Sequence, residues 1–266
     1  MIKAIYHTAD WHLRNFQRQE EFEESINLFI NEIQGKCKYF EARICITGDL
    51  FETQEQVSNE ANLIMVKTLK KLLSIHPVII TIGNHDLPKN RTRMDAITPI
   101  VEAIANPNLK YSKFSEIFED DGIVFVHYSF LDNFAVQLQS KSPNKKYVGL
   151  YHAPLQNCKN PLNPVFEQKM REHPVKVDLF ENCDIVLMGD IHFPQTIKAQ
   201  DYTAYYCGSL YQQNFGEYVE HHGFGFINMQ TLEYQFIELQ NSYGKYKVKI
   251  DSIEKLDMKF LNVNAQ

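Results

Sequence analysis

Apolar residues in this chain gather in short runs that each end on polar groups. Ile2 to Thr8, Arg43 to Thr47, Pro77 to Ile82, Tyr147 to Tyr151 and Ile185 to Met188 read as buried strands. Between the first three, Glu20 to Ile33 sets Phe22, Ile26, Phe29, Ile30 and Ile33 at helical spacing. About Val57 to Ser74 carries Leu63, Val66, Leu69, Lys70 and Leu73 on a similar stripe. The first ninety residues are therefore three strand–helix units, which predicts parallel pairing. A short helical region is expected from Arg91 to Ala105, broken near Pro99 and ended by Asn106-Pro107. Leu109 to Tyr128 predicts shorter strands around a turn at Asp120-Asp121-Gly122, and a helix over Leu131 to Gln139 comes before the basic loop Ser140 to Lys146. Beyond His192, Thr203 to Cys207, Gly223 to Met229 and Tyr234 to Leu239 are aromatic-rich runs between glycine turns. They predict an antiparallel region closing a second sheet against the first.

The chain has 266 residues, enough for one large domain with a short appendage. No stretch is long and apolar enough to span a bilayer, and the first residues lack the basic and apolar segments of a signal peptide. A protein of the cytoplasm is expected, nucleoid-associated if it acts on DNA, with a cellular or viral origin left open. Five scattered cysteines without a C-x-x-C pair indicate reduced core thiols rather than disulfides or a zinc knuckle. The formal charge of −6 argues against coating nucleic acid by bulk electrostatics. It leaves a nuclease open, because two divalent ions would add four positive charges where the aspartates gather.

Each of the five strands hands metal-type ligands to the loop that follows. These are Asp10-Trp11-His12, Gly48-Asp49, Gly83-Asn84-His85-Asp86, His152, and Gly189-Asp190-Ile191-His192. In an open α/β sheet the carboxyl ends of the strands form the binding crevice, so the topology brings these loops together. Alone, each cluster has an ordinary reading: a chance Asp-x-His, a Gly-Asp turn, an Asx turn or a packed histidine. Together Asp10, His12, Asp49, Asn84, His152, Asp190 and His192 offer enough oxygen and nitrogen donors for two ions sharing a carboxylate. Mixed donors without thiolates suit manganese, iron or zinc better than copper. A pair of such ions about 4 Å apart suits phosphoester hydrolysis.

These motifs, taken in order, resemble the signature of the calcineurin-like metallophosphoesterases. The flanking words His7-Thr8-Ala9-Asp10-Trp11-His12-Leu13, Thr47-Gly48-Asp49-Leu50-Phe51, Tyr151-His152-Ala153-Pro154-Leu155 and Cys207-Gly208-Ser209 resemble the SbcD-type DNA repair nucleases, over roughly residues 1 to 240. The resemblance implies an α/β fold, a two-sheet sandwich flanked by helices (α/β/β/α) with the active site at the strand C-terminal ends. It implies a nuclease domain over residues 1–240, with 241–266 a tail or the start of a capping domain. Asp10, His12, Asp49 and His192 would hold one cation, and Asp49, Asn84, His152 and Asp190 the other. Manganese is the first expectation, with magnesium, iron or zinc as substitutes. His85 would be the acid that stabilises the phosphorus centre and protonates the departing sugar oxygen. Relatives of this type further imply DNA as substrate, exonuclease action on duplex ends, endonuclease action on single strands, a homodimer, and an SbcC-type coiled-coil ATPase partner. The alternatives are a phosphoesterase for nucleotides or other small phosphodiesters, and a DNA-end binding module without catalysis.

Two positions depart from the commonest pattern. Asp190 stands where many relatives have histidine; a carboxylate is the harder donor and shifts preference toward manganese or magnesium. Glu52, three residues after Asp49, is expected to orient His85 and raise its pKa by proximity. Lys89, Arg91 and Arg93 follow the catalytic loop and are candidates for phosphate contacts. Lys141, Lys145 and Lys146 read as solvated loop charges. His127 reads as a core histidine, His221 and His222 as surface, and Trp11 as a packing residue.

Overall fold

The computed structural model describes residues 1–35, 38–52, 56–90, 93–132, 136, 138–159 and 177–246. Alternating strand and helix set out the first sheet. Strands β1 (Ala4–Thr8), β2 (Ala42–Thr47), β3 (Val78–Thr81) and β4 (Leu109–Ser112) are joined by helices α1 (Gln19–Gln34), α2 (Asn59–Leu73) and α3 (Thr98–Ile104). The four strands pair in parallel, as the strand–helix alternation requires. The second sheet begins with β5 (Glu116–Asp120) and β6 (Ile123–Tyr128), and continues through β7 (Lys146–His152), β8 (Ile185–Gly189), β9 (Gln195–Lys198) and β10 (Thr203–Tyr206). Its spatial order is β5-β6-β7-β8-β10-β9, and β6, β7, β8 and β10 run parallel.

The C-terminal strands correct one expectation. β11 (Gly223–Asn228) and β12 (Glu233–Glu238) do not close a second sheet; they extend the first, giving the order β12-β11-β1-β2-β3-β4. The reason is that β1 has an open edge, and β11 fills it with an antiparallel ladder from Ala4↔Asn228 to His7↔Gly225. The turn at Asp120–Gly122 forms as expected, with Asp121 and Gly122 both at positive φ.

The sheets face each other across Ile5, Cys45, Ile79, Phe125, Val148, Leu150, Leu187 and Ile227. On the outer face of the first sheet, α1 buries the predicted stripe Phe22, Ile26, Phe29, Ile30 and Ile33. Helix α2 is capped by Ser58, whose hydroxyl accepts from the Ala61 N–H, but it packs one phase away from expectation. Ala61, Met65, Leu69 and Leu72 are buried and Leu63 is 53% exposed. Its apolar positions surround more than one stripe, and packing against the sheet selects among them. Pro99 begins α3 instead of breaking it, because a proline lacks only an N–H that the first helical turn leaves unpaired. On the outer face of the second sheet, Leu155 and Cys158, together with Phe180 from a 3-10 turn (Val177–Phe180), cover Tyr128, Tyr151 and Val186. The expected helix over 131–139 falls partly outside the described residues, and Leu131–Asp132 form a turn. The tail from 247 onward, Arg91 and Cys37 also lie outside them. Cys45, Cys158, Cys183 and Cys207 are buried free thiols. No helix among the described residues is long and apolar enough to cross a membrane.

Candidate metal centre

The site is built where β1, β2, β3, β7 and β8 end. The chain leaving β1 runs beside the chain leaving β2. The Asp10 N–H donates to Gly48 O at 3.1 Å, the His12 N–H to Asp49 O at 3.0 Å and the Leu13 N–H to Leu50 O at 2.9 Å. This fixes Asp10 and His12 against Asp49. The backbone is strained here: Asp10, His12, Asp49 and Asp190 all have positive φ, which L-residues adopt at a cost of about 1 kcal/mol or more each. Gly83 lets the third loop close in, since a Cβ there would stand 2.1 Å from the Asp49 nitrogen.

Asp86 ties the loops together. Its Oδ1 accepts from the N–H groups of Leu50 (2.9 Å) and Phe51 (3.1 Å), and its Oδ2 from those of Asp49 (2.9 Å) and Gly83 (3.0 Å). Burial and the neighbouring Asp49 push its carboxyl up, against which four N–H donors favour the carboxylate. We assign the ionised form, because each oxygen already accepts from two N–H groups and an O–H on either would point a donor at a donor.

Seven candidate ligands converge. His12 Nδ1 lies 2.8 Å from the Glu52 carboxylate, and His192 Nδ1 lies 2.8 Å from Glu217 Oε1. The bond to Glu217 puts the His192 ring proton on Nδ1, and the Glu52 carboxylate beside His12 Nδ1, close without the alignment of a hydrogen bond, favours the same tautomer there, so that two Nε2 lone pairs face each other at 3.0 Å. Two such lone pairs repel unless a positive centre lies between them. Nitrogens each about 2.1 Å from one ion, at roughly a right angle, stand about 3 Å apart. Asp10 completes this half: it is fully buried, its Oδ1 accepts from the Asp190 N–H at 2.9 Å, and its Oδ2 has no hydrogen-bond partner. Burial pushes the Asp10 carboxyl up to about 7. Burial alone would lower His192, but the bonded Glu217 and nearby Asp10 push it up to about 9. The local field thus favours positive charge at this spot, whether a proton or a metal ion.

The other half centres on His152. Its Nδ1–H donates to Thr47 O at 2.6 Å, turning Nε2 toward Asn84 Oδ1 (3.0 Å), Asp49 Oδ2 (3.3 Å) and Asp190 Oδ1 (3.9 Å). Asp49 Oδ2 is also 3.6 Å from His12 Nε2, so a single oxygen sits between the two halves. Asp49 Oδ1 is taken by the His85 N–H at 2.8 Å. Burial opposes ionisation of Asp49, yet His152, His12 and His85 hold it below the usual carboxylate range. An orphaned carboxylate oxygen, facing imidazole lone pairs and an oxygen-rich donor set fit two divalent cations.

Glu52 lies against His85 as expected, its carboxylate oxygen within 4.8 Å of a His85 ring nitrogen, but the hydrogen bond that orients the ring goes to its backbone. Its carboxylate contacts His12 and, at 3.6 Å, Arg14, while His85 Nδ1 donates to the Glu52 backbone carbonyl at 2.9 Å. The carbonyl orients His85; the carboxylate lies close to both His12 and His85. Two further residues carry structure that no spacing signalled. Glu217 lies in an irregular loop, and Asp86, though inside the Gly83–Asp86 word, had no assigned part. His222 is not on the surface: it is 3% exposed and bonded to Ser209 Oγ and Tyr218 O. His127 is buried with its Nδ1–H on Phe114 O, and Trp11 is buried against Phe22. Lys89 and Arg93 are exposed beyond His85. Lys141 and Lys145 pair with Asp184 and Glu119, and Lys146 with the carbonyls of Met229 and Gln230, so these charges are used within the chain.

Among known proteins, the family model described as calcineurin-like phosphoesterase matches residues 3–194. An uncharacterized protein of Acanthamoeba polyphaga mimivirus is 32% identical over 271 residues, covering 97% of this chain and 20% of its own length. The chain thus spans a fifth of that relative. Similar solved structures include an archaeal phosphodiesterase, with 16% identity, a TM-score of 0.47, and coverage of 89% of this chain and 99% of its own. Another is the E. coli phosphoesterase Yfce, with 11% identity, a TM-score of 0.42, and coverage of 90% and 99%.

Proposed function

This chain belongs to the calcineurin-like phosphoesterase family, and on that footing we propose that it is a metal-dependent DNA nuclease hydrolysing phosphodiester bonds. The observation that carries the hydrolytic reading is the pair of Nε2 atoms of His12 and His192, 3.0 Å apart and each backed by a carboxylate on Nδ1. Asp10, His12, Asp49 and His192 would hold one cation and Asp49, Asn84, His152 and Asp190 the other. Bound there, divalent cations neutralise charge on a phosphoryl group and make a water nucleophilic at neutral pH. The chain's own part is orientation and proton transfer. His85 is pinned at both its backbone N–H and its Nδ1, which leaves Nε2 as the atom to carry a proton to a departing oxygen.

Support for DNA comes from the words around the motifs and from Lys89 and Arg93, exposed on the loop that leaves His85. The same reading extends to a nuclease domain over 1–240, a homodimer, an SbcC-type ATPase partner and manganese as the working metal. The charge of −6, with three of the loop lysines paired internally, favours the second reading, a phosphoesterase for nucleotides or other small phosphodiesters.

The test compares end-labelled linear duplex DNA with a generic aryl phosphodiester, each with manganese, for the parent protein and His85→Ala. Loss of duplex by the parent, with a fall of about a hundredfold or more in the variant, is the expected result. Turnover of the aryl ester with intact DNA would move the substrate to the small-molecule class.

A further inference from the structure

The two halves of the centre are backed differently. In one, both imidazoles have Nδ1 2.8 Å from a carboxylate, His192 hydrogen-bonded to Glu217 and His12 beside Glu52 without the alignment of a hydrogen bond. In the other, His152 places Nδ1–H on the neutral carbonyl of Thr47. A carboxylate behind an imidazole makes its far nitrogen a stronger donor and fixes its orientation, whereas a neutral carbonyl does so less. Glu217 reaches His192 from a strap, Cys207 to Glu217, that crosses the site. Gln213 Nε2 on this strap donates to the carbonyls of Asp10 and Trp11, each at 3.4 Å, and Tyr211 donates its hydroxyl to Trp11 O at 3.1 Å. Arg18 in turn donates to the Gln213 carbonyl at 2.8 Å. Glu217 is held at the strap's end by the Gln213 N–H (2.7 Å) and Asn214 Nδ2 (2.6 Å). One strap therefore braces both the Asp10 loop and His192, the two chain segments that supply this half.

We propose that Glu217 is the positioning residue that fixes His192 as a metal ligand, making the Asp10–His12–His192 half the tighter of the two, so that it fills first. The inference rests on the chain holding two cations and is independent of the substrate. It also makes Asn84–His152–Asp190 the half whose occupancy follows the metal supply.

The experiment titrates the metal-stripped full chain with Mn2+, read from the paramagnetic resonance signal of the free ion, with no DNA or ester present. The parent should bind in two steps at least about tenfold apart. In Glu217→Ala the tighter step should weaken about 10- to 100-fold while the other stays in place, and Glu217→Gln, which keeps an acceptor without the charge, should fall between. Glu119→Gln removes a carboxylate charge from the surface ion pair with Lys145, outside the strap and the centre; it should leave both steps unchanged. Thermal melting of the metal-free variants reports folding, and if Glu217→Ala does not fold, Glu217→Gln carries the comparison. A single binding step in the parent, equal isotherms for parent and folded Glu217 variants, or Glu119→Gln matching Glu217→Ala would each overturn the proposal. A loss of DNA cleavage alone would bear on the substrate and leave this result standing.

Discussion

At the scale of single residues, the site depends as much on the groups that hold ligands as on the ligands. Asp86 satisfies four backbone N–H groups from two loops, and no neutral side chain of its size can do so. Asp86→Asn would turn an amide N–H toward at least one of those donors. It should destabilise the protein by about 3 kcal/mol, the cost of stranding buried donors that had a charged acceptor. Urea unfolding of the metal-free variant checks this, and a midpoint equal to the parent's would contradict it. The ligand types were legible in the sequence because each follows an apolar run. The supporting contacts were not. Glu217 is 25 positions from His192 and meets it only through the path of the strap. Glu52 was visible by its spacing from Asp49, but spacing could not say that its carboxylate turns to His12 and its carbonyl to His85.

At the scale of elements, what matters is how closely the strand ends approach. Gly83 has no Cβ, and one placed there would meet the Asp49 nitrogen at 2.1 Å and its Oδ1 at 2.2 Å. Gly83→Ala must push the third loop away from the second, breaking the bonds from Gly83 to Asp86 and from His85 to Asp49. We expect a loss of about 2 kcal/mol or more and weaker manganese binding, measured by unfolding and metal titration; unchanged binding would contradict this account of the glycine. The strand–helix alternation made β1 to β3 and α1 legible. The phase of α2 was not, because Leu63, Ile64, Met65 and Val66 offer apolar residues on several faces. The partners of β11 and β12 were equally hidden: alternation marks a pleated strand but carries no information about which distant edge it fills.

At the scale of the whole molecule, two sheets are pressed together around neutral histidines and braced at one edge by the bidentate pair of Arg43 on β2 with Asp120 on β5. Burial pulls His7 down to about 3 and His127 down to about 4. In the unfolded chain both titrate near about 6.5, so between that pH and about 4 the unfolded state binds protons that the native state refuses. The contribution of these two histidines to stability should be complete above about pH 6.5 and fall as the pH drops through that window, while the raised Asp10 and His192 act in the opposite sense. Urea midpoints of the metal-free protein at descending pH, compared between parent and a His127 variant, isolate this contribution. His127→Asn, which keeps a donor for Phe114 O but does not titrate, should flatten the fall, and an equally steep profile would contradict the assignment. The central claim is that five distant loops form one centre for two cations. Anomalous diffraction at the manganese edge from crystals grown with Mn2+ tests it most directly. The account predicts two peaks about 4 Å apart, one beside His12 and His192, the other beside Asn84 and His152, with the Asp49 carboxylate between them. Absence of both peaks from these loops, or an ion bound only elsewhere on the chain, would contradict it.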